Sequence, residues 1–491
     1  MNRSISAQTC TFAAVALVVT MILSTAGCAS APPPAVDQRP DGIQTMPAEE
    51  PAEPVLTIDE SYQAISYAVQ AGDPQAAIAA YEAARVEDPA DPGTRVLLAN
   101  LYLIAGAIAD AESLLGEVLN DDPDNPDALF LLSLAAAANG DRDRQGVILQ
   151  DLLRVDPDNA KALAALGELQ LQDRQYDQAE DSFAAALARE DNNLVARMGL
   201  ANVLLRKDEF EAAERELSAV IAAEPDYPYA YADRARARAL QRNLTGAASD
   251  LTAAIDRDPE YSWHFIDRGR VYLEQRRFRE AQEDFSAAIA LDSDQFISFI
   301  LRARARDALG LIDDALADYA TGVGMRPDYY PAYAPYATLL YMARSFDSSA
   351  AYYRKAFAAD GRRLEYILTA TLALKAAGKA AAANDWLTEN LSKLPRDTVY
   401  YSVARYYLTP STEGSTMATI GAERNDTVKG QMYFYLGAQL ALLGRDATAQ
   451  AALLEAEELL SPAVIEGRLA RWHLEEYRTG QPAADPAEEG D

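Results

Sequence analysis

The sequence predicts an all-α helical solenoid, because three kinds of residue recur together in one unbroken 34-residue register. A helix-ending residue closes each of ten consecutive cycles: Pro89, Pro123, Pro157, Asp191, Pro225, Pro259, Ser293, Pro327, Gly361 and Pro395. Twelve residues earlier lies a mostly small residue: Ala77, Ala111, Gln145, Ala179, Ala213, Ala247, Ala281, Ala315, Ser349 and Ala383. Eight residues before each stop lies a bulky apolar residue, from Tyr81 to Leu387. Each cycle therefore predicts two antiparallel helices that need neighbours to bury their apolar faces.

The stops and turns have a direct physical reason. Proline lacks an amide hydrogen and disfavours helical backbone in the residue before it, so it ends a helix. The residue after the stop often suits the cap of the next helix: Asp124, Asp158, Asn192, Asp226, Asp294 and Asp328. Glycine or a polar residue marks the turn within the cycle: Gly72, Gly106, Gly140, Asp208, Gly310 and Gly378.

The cycle from Ser262 to Gln295 resembles the tetratricopeptide repeat (TPR) family at seven signature positions: Gly269, Tyr272, Phe278, Ala281, Phe285, Ala288 and Ser293. The resemblance covers ten repeats over residues 57–397. It implies a right-handed superhelical solenoid of about eleven helix-turn-helix repeats with a C-terminal capping helix. Pro331 and Pro335 fall within the first helix of the ninth cycle, where we expect a kink.

The register breaks after Asp397. We expect an irregular helix and loop over residues 398–429, a last repeat over 430–463 and an amphipathic capping helix over 464–478. Leu469, Trp472 and Leu474 would face the last repeat, and such caps keep the open end of a solenoid soluble. Residues 479–491 form an acidic tail, predicted to be disordered. This ending resembles that of TPR lipoproteins of bacterial envelopes.

The N-terminus predicts export and lipid anchoring. Phe12 to Leu23 is an apolar run too short to span a bilayer comfortably, which is typical of a signal peptide over residues 1–27. Leu23-Ser-Thr-Ala-Gly-Cys28 resembles the lipobox of bacterial lipoproteins, which implies acylation (palmitate) of Cys28. The alternatives are an ordinary secretory signal cut nearby and an uncleaved anchor. Ala29 after the cysteine favours the outer membrane by the same resemblance, with the protein facing the periplasm.

The segment from residue 28 to residue 56 is rich in Pro, Ala and Glu and predicts a disordered tether between anchor and solenoid. Cys10 lies in the predicted signal peptide, so Cys28 would be the one cysteine of the mature chain. A disulfide is therefore not expected, and helix packing would have to supply the stability.

Composition narrows the partners and argues against catalysis. The chain carries 75 acidic and 44 basic residues, a net charge of −31, which would repel nucleic acid and anionic lipid. The two histidines, His264 and His473, lie far apart and are expected to be ordinary helix residues. The Asp121–Asp127 acidic cluster lacks the glycine of a calcium loop, and no other metal or phosphate motif is present. We therefore expect no enzyme activity, no cofactor and no metal.

A column of arginines is the candidate partner-binding feature. Arg236, Arg270 and Arg304 follow one another at 34-residue spacing, on the face that lines the concave, peptide-binding groove in TPR proteins. By the same register the neighbouring groove positions are Tyr229, Trp263, Ile266, Ile297 and Ile300. The alternative is local pairing, Asp233 with Arg236 and Asp267 with Arg270, which contributes only a few tenths of a kcal/mol per pair.

Two functions remain open. The favoured one is a lipid-anchored TPR scaffold that gathers proteins of the bacterial cell envelope and binds peptides or acidic segments in its groove. The second is an accessory lipoprotein for exopolysaccharide or glycan assembly and secretion. The second would require exposed aromatic residues along the groove, and the tyrosines of the ninth cycle suggest a place for them: Tyr329, Tyr330, Tyr333, Tyr336 and Tyr341.

Overall fold

The computed structural model describes residues 58–83 and 92–479. Cys28, the predicted signal peptide and tether, and the tail from residue 480 onward lie outside the described residues. The described part contains α-helices and short 3-10 turns and no strand. The helices are α1 Ile58–Gln70, α2 Pro74–Ala83, α3 Pro92–Ile104, α4 Ile108–Asp121, α5 Pro126–Ala138, α6 Arg142–Val155, α7 Ala160–Gln172, α8 Tyr176–Arg189, α9 Leu194–Arg206, α10 Phe210–Ala223, α11 Pro228–Leu240, α12 Leu244–Arg257, α13 Ser262–Glu274, α14 Phe278–Leu291, α15 Phe296–Ala308, α16 Ile312–Met325, α17 Tyr333–Met342, α18 Phe346–Ala359, α19 Glu365–Ala376, α20 Ala380–Asn390, α21 Val399–Leu408, α22 Glu413–Ala422, α23 Asp426–Leu442, α24 Asp446–Leu459 and α25 Ile465–Thr479.

The chain divides into two compact units, with the boundary between Gly246 and Ala247. We call them the N-terminal unit and the C-terminal unit. In both units the helices pack in pairs, as the register predicts: an odd-numbered helix is the first of its repeat, and the even-numbered helix after it is the second. Within the described N-terminal unit, closely contacting helices are neighbours or next neighbours in sequence. This is how a stacked repeat is expected to pack.

The repeat chemistry inferred from the sequence is confirmed. The predicted turn residues adopt left-handed backbone conformations, for example Gly140 with φ 74° and Asp208 with φ 62°. The small column is fully buried at Ala111 and Ala281. At Gly269, a Cβ atom would lie 2.6 Å from the ring of Phe285, so the bulky residue of the repeat occupies the space that glycine leaves. Small residues at these positions therefore let the paired helices pack closely.

The helix caps differ from the expectation by one residue. Asn125, Asn159 and Asn193 cap α5, α7 and α9, each accepting a hydrogen bond from the backbone amide three residues later. The preceding Asp124 instead forms an ion pair with Arg154 at 3.1 Å, and Asp158 pairs with Arg189 at 2.7 Å. The later first helices α11, α13 and α15 have no side-chain cap. Their stability must therefore come from packing.

Two expectations after residue 325 are wrong. Pro331 lies in a 3-10 turn, Tyr330–Ala332, and Pro335 in the first turn of α17, so the prolines delay the start of the helix and do not kink its middle. Early helix positions tolerate proline because their amides have no intrahelical acceptor. The segment over residues 398–429, predicted as an irregular helix and loop, contains α21 where the helix was expected and a second helix, α22, where the loop was expected.

The C-terminal unit has long-range contacts of a kind that a plain stack lacks. Helix α23 packs against α19 as well as α21, and α25 packs against α17 in addition to its expected neighbours α23 and α24. Leu469 and Leu474 of α25 are buried as predicted. Trp472, however, lies against Tyr341 of α17, with the ring centroids 5.7 Å apart. The last helix therefore caps the final repeat and also reaches back to the ninth.

Candidate partner-binding faces

The first helices line the inner face of each unit. Neighbouring first helices contact each other directly, as α3 does with α5, α7 with α9, and α13 with α15. Second helices in these repeats pack mainly on first helices. In a curved stack of repeats, the helices that contact each other from one repeat to the next lie on the inner, concave side. Residues at 34-residue spacing on the first helices therefore form columns on that inner face.

The predicted arginine column is distributed over both units. Arg236 lies on α11 of the N-terminal unit and is exposed, and Arg304 lies on α15 of the C-terminal unit and is also exposed. Arg270, on α13, is half-buried and forms the local pair with Asp267 at 2.9 Å. Its side chain remains 38% exposed, so the pair contributes little to stability and leaves the guanidinium accessible. A binding role for these three arginines stays a prediction.

The apolar residues assigned to the groove behave differently from one another. Ile266 and Ile300 are buried, at 0% and 3% exposure, inside core clusters of the C-terminal unit. Their assignment to the groove surface is wrong, because they point into the layer between the helices. Trp263 and Ile297 are half-buried and pack against the edge of the cluster that contains Ile266. Tyr229 is half-buried beside Tyr227, with ring centroids 5.6 Å apart.

The arginines two positions earlier in the same motif have a structural role. Arg268 forms a bidentate pair with the buried Asp284, at 2.9 and 2.7 Å, and also donates to Thr252. Arg302 repeats this arrangement with Asp318 at 2.9 and 2.8 Å. Bidentate geometry holds the guanidinium in place on the second helix of its own repeat. The paired arginine motif therefore separates into one structural arginine and one accessible arginine per repeat.

In the N-terminal unit the equivalent positions of the first helices carry different chemistry and are less exposed. Stepping back by 34 residues from Arg236 gives Asn202, Glu168, Leu134 and Asn100. Asn100 is buried, and its Oδ1 accepts no hydrogen bond from any described residue. Glu168 is half-buried, and burial raises its pKa to about 7. These residues were not predicted as site residues from the sequence, although extending the arginine column toward the N-terminus would have found them.

Asn100 and Glu168 are polar groups without a partner among the described residues. The Oδ1 atom of Asn100 lacks a hydrogen-bond donor, and the carboxylate of Glu168 lacks a cation. A buried carbonyl oxygen without a donor and a carboxylate without a cation both cost free energy. Close helix contacts in this unit join neighbours and next neighbours. A cationic side chain of a peptide on this face would pair with the half-buried Glu168, whereas Asn100 lies below the surface.

In the C-terminal unit, by contrast, α25 occupies the inner face next to Arg304. Asp307, one turn further along α15, forms a two-point ion pair with Arg468 of α25. The residue 34 positions later is Tyr341, whose hydroxyl lies 3.2 Å from Nε2 of His473. Glu476 pairs with Arg344.

Three of the α25 contacts come from a single stripe. Arg468, Trp472 and Glu476 are spaced at i, i+4 and i+8, so they lie on one side of the helix. The guanidinium of Arg344 lies 5.5 Å from the ring centroid of Trp472 and also holds Glu476. This stripe makes α25 an intramolecular ligand of the inner face.

Burial around α25 controls the charge of its titratable groups. Burial lowers the pKa of His473 to about 3, so this histidine is neutral at physiological pH. Burial also raises the pKa of Glu466, although the hydrogen bond from Tyr435 opposes this effect. His473 was expected to be an ordinary helix residue, and it is a buried packing residue with a specific hydroxyl partner.

Within residues 58–83 and 92–479, no set of three or more His, Cys, Asp or Glu side chains is arranged to hold a metal ion. Over the same residues, no helix is both long enough and apolar enough to cross a membrane.

Comparison with known families identifies the repeats. Tetratricopeptide repeat models match residues 68–134, 102–169, 170–239 and 266–329. The chain belongs to the tetratricopeptide repeat family. TPR proteins bind peptides or other proteins and are generally noncatalytic scaffolds, so the repeats indicate a protein–protein interaction function.

Solved TPR structures and one curated relative are similar to parts of this TPR protein. A TPR protein from Parabacteroides merdae is 20% identical, covers 50% of this chain and 98% of its own, with a TM-score of 0.38. YrrB, a TPR protein with an unusual peptide-binding site, is 18% identical over 38% of this chain and 95% of its own, with a TM-score of 0.33. Cellulose synthase operon protein C of Pseudomonas fluorescens is 44% identical over 70 residues, which is 14% of this chain and 6% of that protein.

Proposed function

We propose that this TPR protein is a lipid-anchored scaffold of the bacterial cell envelope that holds partner peptides on the inner face of its N-terminal unit. The half-buried carboxylate of Glu168, which pairs with no cation among the described residues, carries the proposal. Glu168 lies two repeats before Arg236, at the equivalent position of its first helix. The inner face of the C-terminal unit already holds α25, so the N-terminal unit offers the more accessible surface for a partner.

The chemistry of the column specifies the partner segment. Leu134 separates Asn100 and Glu168, so the column alternates polar, apolar and acidic groups along successive first helices. A peptide that fits carries an apolar side chain opposite Leu134 and a lysine or arginine opposite Glu168. Pairing would return the carboxylate of Glu168 to its charged form, because an opposite charge lowers a carboxyl pKa.

The anchor and the compartment rest on the sequence between Leu23 and Cys28, with the Pro-rich tether after it. Cys28 would carry the lipid, and the outer membrane is the favoured location because alanine follows the cysteine. The net charge of −31 would repel an anionic membrane surface, which is consistent with covalent lipid as the means of attachment.

The anchor is tested by Cys28→Ser in the native host. The variant is expected to lose labelling by a fatty-acid analogue and to leave the membrane fraction. A variant that still labels and remains in the membrane would rule out the lipobox assignment.

The partner-binding face is tested by affinity purification from solubilised envelopes. We compare the unaltered protein with Glu168→Gln and with a control, Asp151→Asn, which removes an exposed carboxylate from α6. Recovery of a protein partner is expected to fall more than about tenfold in Glu168→Gln alone, since about 1.4 kcal/mol corresponds to a factor of ten. Equal recovery from all three proteins would contradict binding on this face.

A role in glycan assembly or secretion is the second candidate, favoured by the 70-residue similarity to cellulose synthase operon protein C. The tyrosines of the ninth repeat give it little support. Tyr333, Tyr336 and Tyr341 are buried in the core, and Tyr329 packs against Phe296 with ring centroids 5.1 Å apart. Tyr330 is the exposed member of the group. Retention of the protein on an exopolysaccharide column, with no protein partner recovered, would favour this candidate.

A further inference from the structure

A cavity of about 650 Å³ lies between the second helices of the ninth and tenth repeats, α18 and α20. Its polar lining comes from Arg354 and Lys355 of α18, Asn390 of α20 and Lys393 just after α20. Phe357 and Trp386 supply the aromatic part of the wall. The lining therefore contains three cations and no carboxylate, in a chain whose net charge is −31.

The three cations have aromatic neighbours in place of acidic ones. The Arg354 guanidinium lies 4.9 Å from the ring centroid of Trp386, and Lys393 Nζ lies 4.8 Å from that of Phe357. Lys355 Nζ lies 4.6 Å from the ring centroid of Tyr352. Across the described residues, no carboxylate lies within ion-pair distance of any of the three, although Lys393 donates a hydrogen bond to Asn390.

Nearby cations on the same repeats behave differently. Arg362 pairs with Asp360 at 2.8 Å, and Lys379 pairs with Asp347 at 2.6 Å. Arg362 and Lys379, near the cavity, are thus paired with carboxylates, whereas the three cations that line the cavity have no carboxylate partner. A cation held against an aromatic ring keeps its N–H groups available at the edge. Trp386 is itself fixed, because its indole N–H donates to the carbonyl of Ile367 at 3.2 Å.

We propose that this cavity binds an acidic peptide segment of a partner protein, with Arg354, Lys355 and Lys393 contacting successive carboxylates. The cations are carried by two different elements along the cavity, which suits several spaced carboxylates better than a single phosphate. The choice of a peptide rests on the protein-binding function proposed above. The site lies on second helices and is separate from the face that carries Glu168, so either site can fail without the other.

The three tryptophans of the chain provide a direct test. Labelling with 5-fluorotryptophan gives ¹⁹F signals for Trp263, Trp386 and Trp472, and Trp386→Phe assigns the signal at the cavity. Titration with a hexaglutamate peptide is expected to shift the Trp386 signal saturably and to leave the other two in place. A hexaglutamine peptide is expected to have no effect. Raising the ionic strength from about 0.05 to about 0.3 M is expected to weaken binding, because salt screens exposed charges.

Matched charge variants assign the effect to the cavity. Arg354→Gln/Lys393→Gln removes two cavity cations, and Arg362→Gln/Lys379→Gln removes two paired cations from the same repeats. Affinity for hexaglutamate is expected to fall at least about tenfold in the first variant and less than about twofold in the second. Unchanged Trp263 and Trp472 signals show that each variant is folded.

Three results would overturn the proposal. The first is the lack of a saturable Trp386 shift up to about 5 mM hexaglutamate, a concentration that detects even millimolar affinity. The second is equal weakening in both charge variants. The third is a response to inorganic phosphate or an oligogalacturonate with none to hexaglutamate, which would assign the cavity to a different ligand class. Loss of the envelope partner on mutation of Glu168 would leave all three of these readouts unaffected.

Discussion

In the N-terminal unit, buried apolar residues form separate clusters that each join neighbouring repeats, whereas in the C-terminal unit one large cluster runs from Ile300 to Leu474, beside a smaller cluster around Ile266. Both units use the same helix pair. The difference arises because the C-terminal unit adds long-range contacts of α23 with α19 and of α25 with α17. Repeats that contact only their neighbours are expected to lose stability locally, while a shared core is expected to unfold as one piece.

The change from separate clusters to a shared core can be located in the sequence register. In the eighth repeat Arg302 pairs with Asp318, and in the ninth the residues 34 positions later are Tyr336 and Tyr352. These two rings pack edge to face with centroids 4.7 Å apart. Replacing an ion pair by an aromatic pair at equivalent positions lets the apolar core continue into the next repeats.

Removal of a large side chain from the shared core tests this difference most strongly. Tyr341→Ala is expected to cost about 4 kcal/mol, since it deletes a buried ring packed against Phe346 and Trp472. Hydrogen exchange is expected to accelerate together in α17 and in the distant α25. The matched variant in the N-terminal unit is Leu115→Ala, at a fully buried position.

Leu115→Ala is expected to cost about 3 kcal/mol, with faster exchange confined to α3, α4 and α5. Hydrogen exchange of both variants, followed by mass spectrometry, resolves the individual helices. If faster exchange extends over as many helices in Leu115→Ala as in Tyr341→Ala, the distinction between separate and shared cores is wrong.

The ion pair between Arg468 and Asp307 tests the contact of α25 with the inner face. Arg468→Ala is expected to cost about 2 kcal/mol of local stability, because it leaves the largely buried Asp307 without a cation. The control on the same helix is Arg471→Ala, whose partner Glu457 lies 3.5 Å away and whose side chain is 40% exposed. The control is expected to cost less than about 0.5 kcal/mol.

A double-mutant cycle with Asp307→Ala isolates the pair, measured as α25 protection from exchange. A coupling energy near zero would show that α25 is held by its apolar face alone. In that case the stripe of Arg468, Trp472 and Glu476 would not specify its position.

Glu168 gives the N-terminal unit a pH dependence of known sign. Its pKa is about 7 in the folded protein and near 4.5 when unfolded, so the folded state binds the extra proton between these values. Stability from this group is therefore fully present below pH 4.5 and is lost as pH rises through 7. Glu168→Gln is expected to stabilise α7 by about 1–2 kcal/mol at pH 8 and by almost nothing at pH 4.5.

Exchange protection of α7 at the two pH values measures this effect, and Asp151→Asn serves as a control for the lost charge. Stabilisation that is the same at both pH values would contradict an elevated pKa. A bound cationic peptide is expected to remove the difference between the variant and the unaltered protein at pH 8.

The smallest expected effect concerns the turns within repeats. Arg174 has φ 62°, a left-handed conformation that glycine adopts without strain, while the equivalent turn of an earlier repeat uses Gly140. Arg174→Gly is expected to stabilise its repeat by about 0.5 kcal/mol, and Gly140→Ala to destabilise its own by about 1 kcal/mol. Thermal unfolding of the two variants is expected to shift in opposite directions, and shifts of the same sign would contradict the strain argument.

The sequence by itself determined the repeat. The 34-residue register gave the helix pairs, their turns and the small residues at which helices meet, because these features depend on backbone conformation and nearest-neighbour packing. It also located the column of accessible arginines. The chemistry of Glu168 and Asn100 belongs to the same column, and only their burial in the folded unit reveals the groups left without partners.

The tertiary structure decided what the register does not encode. Residues 398–429 form a helix pair although they lack the repeat pattern, since their helices gain stability from packing beside α23 and not from periodic sequence. The return of α25 to Asp307 and Tyr341 joins residues 161 and 132 positions apart. Contacts over such distances depend on how successive repeats curve, and small differences in packing at every helix pair add up to determine that curvature.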